Sequence, residues 1–166
     1  MWHNQIVQNQ IATGDYQQLD LDLQLCFPLY AVSRAIPARY GQLLGEVGLT
    51  YPQYLVMLAL WEARTMTVGE LGDRLRLDSG TLSPLLKRLQ AAGLVDRRRD
   101  PADERRVQVE PTQDGWQLRE RVAHVPAAIA AATGLDPETY LDLKARLANM
   151  LCNLDEGLLS ETAISQ

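Results

Sequence analysis

The sequence is poor in the residues that build disulfides and metal sites, and it has no long apolar run. Its two cysteines, Cys26 and Cys152, lie far apart, which argues against a disulfide framework and favours a reducing, cytoplasmic setting. His3 and His124 are separated from each other and from both cysteines, so no metal site is expected. No run approaches the roughly 18 apolar residues of a membrane span, and residues 1–18 lack the apolar segment of a signal peptide.

The motifs of common enzyme classes are absent as well. We find no glycine-rich phosphate loop, no Ser/His/Asp arrangement, no internal repeat and no low-complexity segment. The sequence therefore gives no support to catalysis or to a bound cofactor, and the chain is expected not to be an enzyme. Its 166 residues suffice for one domain with a substantial core.

The charge of the chain is unevenly distributed. The formal net charge is -5, which argues mildly against a nucleic-acid partner. Between Lys87 and Arg106, however, seven basic residues stand against four acidic ones, a local excess of +3. Such a stripe is the electrostatic footprint of a surface that contacts phosphates. A solvated hairpin with internal ion pairs would show the same composition, so this alternative stays open.

The stretch from residue 67 to residue 109 has the pattern of a winged helix-turn-helix. Thr67 and Glu70 form a capping box at the start of a first helix, and Asp78 is a good cap for a second helix, which Gly93 ends. The second helix is expected to direct four leucines into the core: Leu82, Leu85, Leu86 and Leu89. A hairpin follows, and its two strands, joined by a charged loop, are predicted at Val95–Arg99 and Val107–Val109. Helix, turn, helix and basic hairpin together are typical of a DNA-binding protein that is mainly α with a small β wing.

Long amphipathic helices are predicted on both sides of this unit. We expect residues 1–18 to form a flexible arm, residues 19–48 and 112–166 a helical dimerisation region, and residues 50–110 the winged DNA-binding region of one overall domain. The flanking helices are expected to be capped by Asp20 or Asp22, Thr50, Thr112 and Asp136. Bends are expected at Pro28 and Pro37, and one helix is expected from Gln113 to Ala132.

The apolar faces of these helices predict a dimer. A small winged domain cannot bury so much apolar surface alone, and a twofold homodimer whose terminal helices interlock is the simplest arrangement that does. A dimer also places two reading helices on successive major-groove faces of double-stranded DNA, as a palindromic operator requires.

Several stretches resemble a known family of regulators. Leu77–Leu89, Gly93–Val95 and the wing Asp100–Arg106 resemble the MarR family of dimeric transcriptional regulators. Leu25–Tyr30 and Leu49–Met57 resemble, within that family, the organic hydroperoxide resistance (OhrR) subgroup. The resemblance covers roughly residues 19–125, and it implies a winged helix-turn-helix dimer that represses transcription until an oxidant releases it from DNA.

The same resemblance assigns a redox site. In the OhrR subgroup an N-terminal cysteine senses peroxide, which implies this role for Cys26, and two tyrosines of the partner subunit, here matched by Tyr40 and Tyr51, hydrogen-bond its sulfur. Phenolic donors favour the thiolate, which attacks an organic hydroperoxide and becomes a sulfenic acid. Some members carry a resolving cysteine after a Val-Pro pair. Here Val125 and Pro126 are present but residues 127–132 contain no cysteine, which favours a low-molecular-weight thiol as resolver.

Nine residues are candidates for DNA contact. Five on the second helix are short donors or cations suited to phosphates and base edges: Ser79, Thr81, Ser83, Lys87 and Arg88. In the wing, Arg105 is the candidate for a narrow minor groove, and Asp103 is expected to orient it. Arg97 and Arg99 either contact DNA or face water, with similar weight.

Other functions remain compatible with the sequence. A MarR-type repressor released by a small phenolic ligand is the main alternative, with the ligand in an apolar cleft between dimer and winged lobes. A thiol peroxidase would turn over repeatedly with a dithiol reductant, and a dimerisation adaptor would not touch DNA. Cys26 could instead be a small core residue, and Cys152, which follows Leu151 on an apolar stripe, is expected to be buried by packing.

Overall fold

The computed structural model describes residues 16–99, 103 and 106–164, with residues 157–164 described by their backbone alone. The predicted arm therefore falls almost entirely outside the described residues, and so does Arg105. The chain divides into two compact units, Met1–Val122 and Ala123–Gln166. The assignment of separate regions to DNA binding and to dimerisation stays a prediction.

The first unit is mainly helical and carries a small antiparallel sheet. Its described helices are α1 (Cys26–Leu44), α2 (Tyr51–Ala63), α3 (Val68–Leu75), α4 (Ser79–Ala91) and α5 (Gln113–Arg121). Its described strands are β1 (Met66–Thr67), β2 (Val95–Arg99) and β3 (Val107–Pro111). Short 3-10 turns flank α1 at Gln17–Leu19, Leu21–Leu23 and Gly45–Val47. The second unit contributes α6 (Val125–Ala132) and α7 (Pro137–Ile164), and this element order confirms the predicted winged helix-turn-helix fold.

The sheet has one strand more than the sequence indicated. The strand order is β1-β3-β2, and both pairs are antiparallel. The β2–β3 hairpin is the predicted wing, with Arg97 opposite Val109. β1 is only two residues long, and Met66 pairs with the same Val109 from the other side. A two-residue strand is too short to show an alternating pattern, so β1 could not be predicted from the sequence.

The core of the first unit is built around α2. This helix is buried on nearly all sides, with Tyr54, Met57 and Leu60 almost fully shielded from solvent, and it packs against α1, α3, α4, α5 and β3. A helix that is apolar all round is the expected centre of such a unit. The four leucines predicted to face inward from α4, namely Leu82, Leu85, Leu86 and Leu89, are all buried.

Side-chain caps fix most of the helix starts that the sequence predicted. The Thr67 hydroxyl accepts from the Glu70 amide at 3.2 Å, and the Glu70 carboxylate accepts from the Thr67 amide at 2.7 Å. At the start of α7, the Asp136 carboxylate accepts from two first-turn amides, each at 3.0 Å. Thr50 and Thr112 also occupy N-cap positions, at α2 and α5. Each such cap satisfies amides that the first turn leaves without a partner.

The sequence prediction about the cap of the first flanking helix is wrong, whereas the bends expected at Pro28 and Pro37 stay a prediction. Neither Asp20 nor Asp22 caps α1, because a separate 3-10 turn takes up Leu21–Leu23 and α1 begins only at Cys26. Pro28 consequently falls in the first turn of α1, where its missing N–H has no partner to lose. Pro37 lies inside α1, and the helix continues through it to Leu44.

The single helix predicted from Gln113 to Ala132 is also wrong, since α5 ends at Arg121 and α6 begins at Val125. Pro126 supplies the physical reason. It has no N–H to donate to the carbonyl of Val122, and its ring clashes with a continuous helix at that point.

Both long terminal helices expose apolar side chains. On α7, Leu143, Leu147, Leu151 and Leu154 are exposed, and on α1 so are Phe27, Tyr30 and Val32. Large apolar side chains exposed along one helix are typical of an interface. No single helix within residues 16–99 and 106–164 is long and apolar enough to cross a membrane, and only the bent pair Cys26–Val47 and Tyr51–Ala63 reaches that composition together.

Candidate nucleic-acid interface and thiol site

The turn between α3 and α4 is held by a close backbone contact. The Leu77 amide donates to the Gly72 carbonyl at 2.9 Å, and Arg76 adopts a left-handed conformation with a φ of 55°. A Cβ on Gly72 would lie 2.9 Å from the Leu77 carbonyl oxygen, so only glycine fits without a shift of backbone. Gly72 thus sets the angle at which α4 leaves the turn, a role that sequence reasoning missed.

Five of the predicted DNA contacts lie on α4. Ser79, Ser83 and Lys87 follow one another at intervals of four residues, so they lie along a single line of the helix. Ser79 and Lys87 are exposed, as are Thr81 and Arg88, whereas Ser83 is half-buried. Four of these five side chains are therefore accessible to a ligand on α4, and Ser83 is partly accessible.

Thr81 is bound to the helix cap rather than free. Its hydroxyl donates to one oxygen of the Asp78 carboxylate at 2.8 Å, and its amide donates to the other at 2.9 Å. These hydrogen bonds, first from the Thr81 side chain and then from its backbone, lower the pKa of Asp78. Asp78 stays ionised at neutral pH and fixes the first turn of α4. In this arrangement the Thr81 hydroxyl can offer DNA only its acceptor side.

The arginines of the wing differ in their surroundings. Arg98 is exposed and pairs with Asp96 at 3.6 Å and with Glu110 at 3.2 Å. Arg97 is partly buried, and Arg99 is exposed. Of the two residues near the tip, Asp103 is half-buried. Arg105 is outside the described part of the chain, so its orientation by Asp103 stays a prediction.

Tyr40 and Tyr51, which the sequence singled out, lie together. Their rings stack with centroids 4.2 Å apart, and Tyr54 joins them, its ring centroid 5.7 Å from that of Tyr40. Tyr40 and Tyr51 are half-buried, so the stack reaches the surface, whereas Tyr54 is fully buried. Burial raises the pKa of Tyr51, and the phenol therefore stays protonated and able to donate at neutral pH.

Cys26 is exposed at the first residue of α1, which contradicts the alternative of a core cysteine in the single chain. Tyr40 lies fourteen residues further along the same helix. At a rise of 1.5 Å per residue the two positions are about 21 Å apart, so the structure does not bring Cys26 and the tyrosine stack of one chain together.

The prediction that packing buries Cys152 is wrong for the single chain, because this cysteine is exposed on α7. Leu151 and Leu154 on the same stripe are exposed as well. The apolar stripe was visible in the sequence, but an apolar stripe is buried only where another surface covers it.

Comparisons with known proteins decide the family. The MarR family profile matches residues 49–107, from the turn before α2 to the start of β3. The organic hydroperoxide resistance transcriptional regulator of Bacillus subtilis (strain 168) is 42% identical over 141 residues, which cover 85% of this chain and 96% of that protein. The chain belongs to the MarR family. It is a DNA-binding transcriptional regulator, not an enzyme.

Solved structures of AbfR, a Staphylococcus epidermidis protein, resemble this MarR regulator as well. Reduced AbfR bound to DNA is 37% identical, with a TM-score of 0.69 over 84% of this chain and 97% of that one. Overoxidized AbfR bound to DNA is 38% identical, with a TM-score of 0.68 over 84% of this chain and 98% of that one.

A junction behind the wing of this MarR regulator escaped the sequence analysis. The Trp61 indole of α2 donates to the Gly115 carbonyl of α5 at 2.9 Å. The Thr112 amide donates to the Leu94 carbonyl at 3.1 Å, and the Thr112 hydroxyl donates to the Gly93 carbonyl at 2.6 Å. These bonds tie the end of α4 and the root of the wing to the central helix.

The described part of the chain contains no candidate metal site. No group of three or more His, Cys, Asp or Glu side chains within it lies close enough to hold a metal ion. The two cysteines are free thiols. The chemistry that the described residues offer is therefore that of a thiol, of phenols and of a cationic surface.

Proposed function

We propose that this MarR regulator is a homodimeric, cytoplasmic repressor, which leaves a palindromic operator after organic hydroperoxides oxidise Cys26. Cys26 is exposed and so accessible to a small oxidant. It is also the first residue of α1, at the end of the helix that reaches the surface.

The observation that carries the proposal is the stack of Tyr40 on Tyr51. The two residues are eleven positions apart on different helices, yet their rings form one half-exposed surface. Both phenols can then approach the same atom from outside. Two O–H donors at one sulfur would stabilise its thiolate form over the thiol.

The donors must come from a second chain. Cys26 and Tyr40 of one chain are about 21 Å apart along α1, well beyond hydrogen-bond reach, and Tyr51 stacks on Tyr40. A twofold dimer that sets the start of one α1 beside the end of the other would bring each Cys26 to the partner's tyrosine stack. The exposed apolar side chains of α1 and α7 supply the surface for such a dimer.

The redox chemistry has two steps. The Cys26 thiolate attacks the outer peroxide oxygen, the O–O bond breaks, the sulfur loses two electrons to become a sulfenic acid, and the organic fragment leaves as an alcohol after taking a proton. A low-molecular-weight thiol then forms an S–S bond with this sulfur, and water leaves. The product is a mixed disulfide, which is far bulkier than the thiolate.

We assign release from DNA to the second step. Overoxidized AbfR has been solved bound to DNA, so overoxidation does not prevent a DNA complex in that relative. A mixed disulfide at Cys26 would instead force the tyrosine stack and the start of α1 apart. The two copies of α4 would then lose the spacing that a palindrome demands.

The experiment is a gel-shift on a palindromic AT-rich duplex. Wild type is treated with tert-butyl hydroperoxide, with and without cysteine as the thiol, beside Cys26→Ser and the matched control Cys152→Ser. We expect oxidant plus thiol to release wild type and Cys152→Ser but not Cys26→Ser. Equal release of Cys26→Ser would refute the assignment of the sensor, and release of all three proteins by salicylate under reducing conditions would favour a phenolic ligand instead.

A further inference from the structure

A cleft of about 440 Å³ opens at the base of the wing. Its polar lining residues are Thr67 before α3, Ser83 of α4, Arg97 of β2 and Arg106 just before β3, and Val68, Gly69 and Val107 complete the lining. None of the described residues that line it is acidic. One water occupies roughly 30 Å³, so the cleft has room for an anionic group together with its waters.

Arg97 carries a buried donor that has no acceptor in the part of the chain that the structure describes. Side chains alternate between the two faces of a strand, so Arg97 shares the inward face of β2 with the buried Val95. Its Nε is fully buried and has no hydrogen-bond acceptor among the described residues. A buried cationic donor without a partner is costly, and such a group in a native fold calls for an acceptor that arrives from outside.

Arg106 supplies a second cation beside the first. It pairs with the Glu70 carboxylate at 3.5 Å, and Glu70 is also held by the Thr67 amide. Hydrogen bonds from the Thr67 backbone amide and then from the Thr67 side chain lower the pKa of the Glu70 carboxylate, which stays ionised. One carboxylate therefore stands against two guanidinium groups, and the cleft keeps a positive excess.

We propose that this cleft binds one backbone phosphate of DNA between Arg97 and Arg106, with Ser83 as an additional donor. The inference rests on the DNA-binding part of the proposed function and not on its redox part. The cleft lies between α4 and the wing, so a DNA strand that runs from the groove read by α4 to the groove read by the wing crosses it. A phosphate there would fix the position of the wing without reading sequence.

The test compares two neighbouring arginines of one strand. Arg97→Met and Arg98→Met remove the same charge, but Arg98 is on the outer face and already paired with Asp96 and Glu110. Reduced protein is titrated onto a fluorescent duplex of random sequence between about 50 and 200 mM NaCl, and the slope of log K against log salt is measured. Arg97→Lys is included because it keeps the charge and removes the Nε donor.

We expect Arg97→Met to make the slope shallower by about 0.9 for each bound chain, whereas Arg98→Met leaves it close to wild type. Arg97→Lys should keep the slope and bind more weakly. Equal slopes for Arg97→Met and Arg98→Met would overturn the proposal, and a lower thermal midpoint of Arg97→Met with an unchanged slope would show a structural role instead.

The remaining outcomes separate this inference from the function itself. If wild type binds no duplex at all, the repressor function fails together with the phosphate site. If wild type binds but the slopes agree, only the phosphate site fails. Inorganic phosphate that competes with the duplex better than chloride at equal ionic strength, in wild type but not in Arg97→Met, would support the proposal, because free phosphate and the duplex would then use the same cleft. Equal competition in both proteins would count against it.

Discussion

Gly115→Ala, which adds only a methyl group, is expected to lower the free energy of unfolding strongly. Gly115 lies in the first turn of α5, directly against the backbone that leaves α4. A Cβ there would lie 3.1 Å from the Leu94 carbonyl carbon, closer still to its oxygen, and 3.3 Å from the Cβ of Pro111. Because the Leu94 carbonyl is part of the backbone, it cannot turn aside as a side chain could. The added methyl group can therefore be accommodated only if α5 moves as a whole.

The cost follows from what that movement breaks. Overpacking a tight site costs about 1–3 kcal/mol, and a buried Trp61 indole that loses the Gly115 carbonyl costs about 1–3 kcal/mol more. The total of about 2–6 kcal/mol is a large share of the roughly 5–15 kcal/mol that typically separates folded from unfolded chains. The thermal midpoint should fall by on the order of 10 °C.

The assay is urea unfolding followed by circular dichroism, at one fixed subunit concentration because association also stabilises a dimer. Gly41→Ala is the matched control, since Gly41 is inside α1 with nothing within 4 Å of its added Cβ. That variant should be unchanged or gain roughly 0.5–1 kcal/mol from the lower chain entropy of alanine. A loss below about 1 kcal/mol for Gly115→Ala would refute the view that the junction is rigid.

Two further predictions concern the helix cap and the phenols. Thr81→Val should raise the pKa of Asp78 toward its ordinary value near 3.9, as read by carboxyl NMR titration. Because the folded-state pKa of Asp78 is lowered, its carboxylate stabilises the fold above the ordinary pKa, and this stability is lost as the pH falls through the lowered pKa. The variant lacks part of this contribution, so it should lose less stability than wild type on acidification. Tyr51→Phe keeps the ring stack but loses one donor, and it should slow oxidation of Cys26 by roughly tenfold, as measured by free-thiol loss. Tyr140→Phe should not, and an equal slowing in both variants would count against the phenol contact.

Local chemistry explains what the sequence could predict. The capping box of Thr67 and Glu70 and the inward leucines of α4 depend on residues a few positions apart, so their spacing reveals them. The break at Pro126 was also locally encoded, but an apolar pattern that continued across it outweighed the proline. The missing N–H of Pro126 therefore decides where the helix breaks, although the apolar side chains repeat at helical spacing on both sides of it.

The remaining features join distant parts of the chain, and no local pattern contains them. Trp61 and Gly115 are 54 positions apart, and their hydrogen bond exists only because α2 and α5 pack together. The stack of Tyr40 on Tyr51 likewise needs the turn after α1. Arg97 looks like its neighbours Arg98 and Arg99 in the sequence, and only the register of β2 against β3 separates the inward arginine from the outward one.

The distance between Cys26 and Tyr40 means that the proposed sensor needs two chains, and mixing subunits can test this directly. A Cys26→Ser chain keeps both tyrosines, and a chain with Tyr40→Phe and Tyr51→Phe keeps the cysteine. Their mixed dimer should contain one complete site, formed by the cysteine of one chain and the tyrosines of the other.

Neither homodimer can form that site, and a sensor built within one chain would be absent from the mixed dimer too. We therefore expect fast oxidation of Cys26 to reappear in the mixed dimer alone, as followed by mass spectrometry of differently tagged chains. A control dimer, in which the Cys26→Ser chain also carries both Tyr→Phe changes, should stay slow. Because about 21 Å of helix separates the groups within one chain, failure of the mixed dimer to recover would mean that the phenols do not activate the thiol, whatever else releases the repressor.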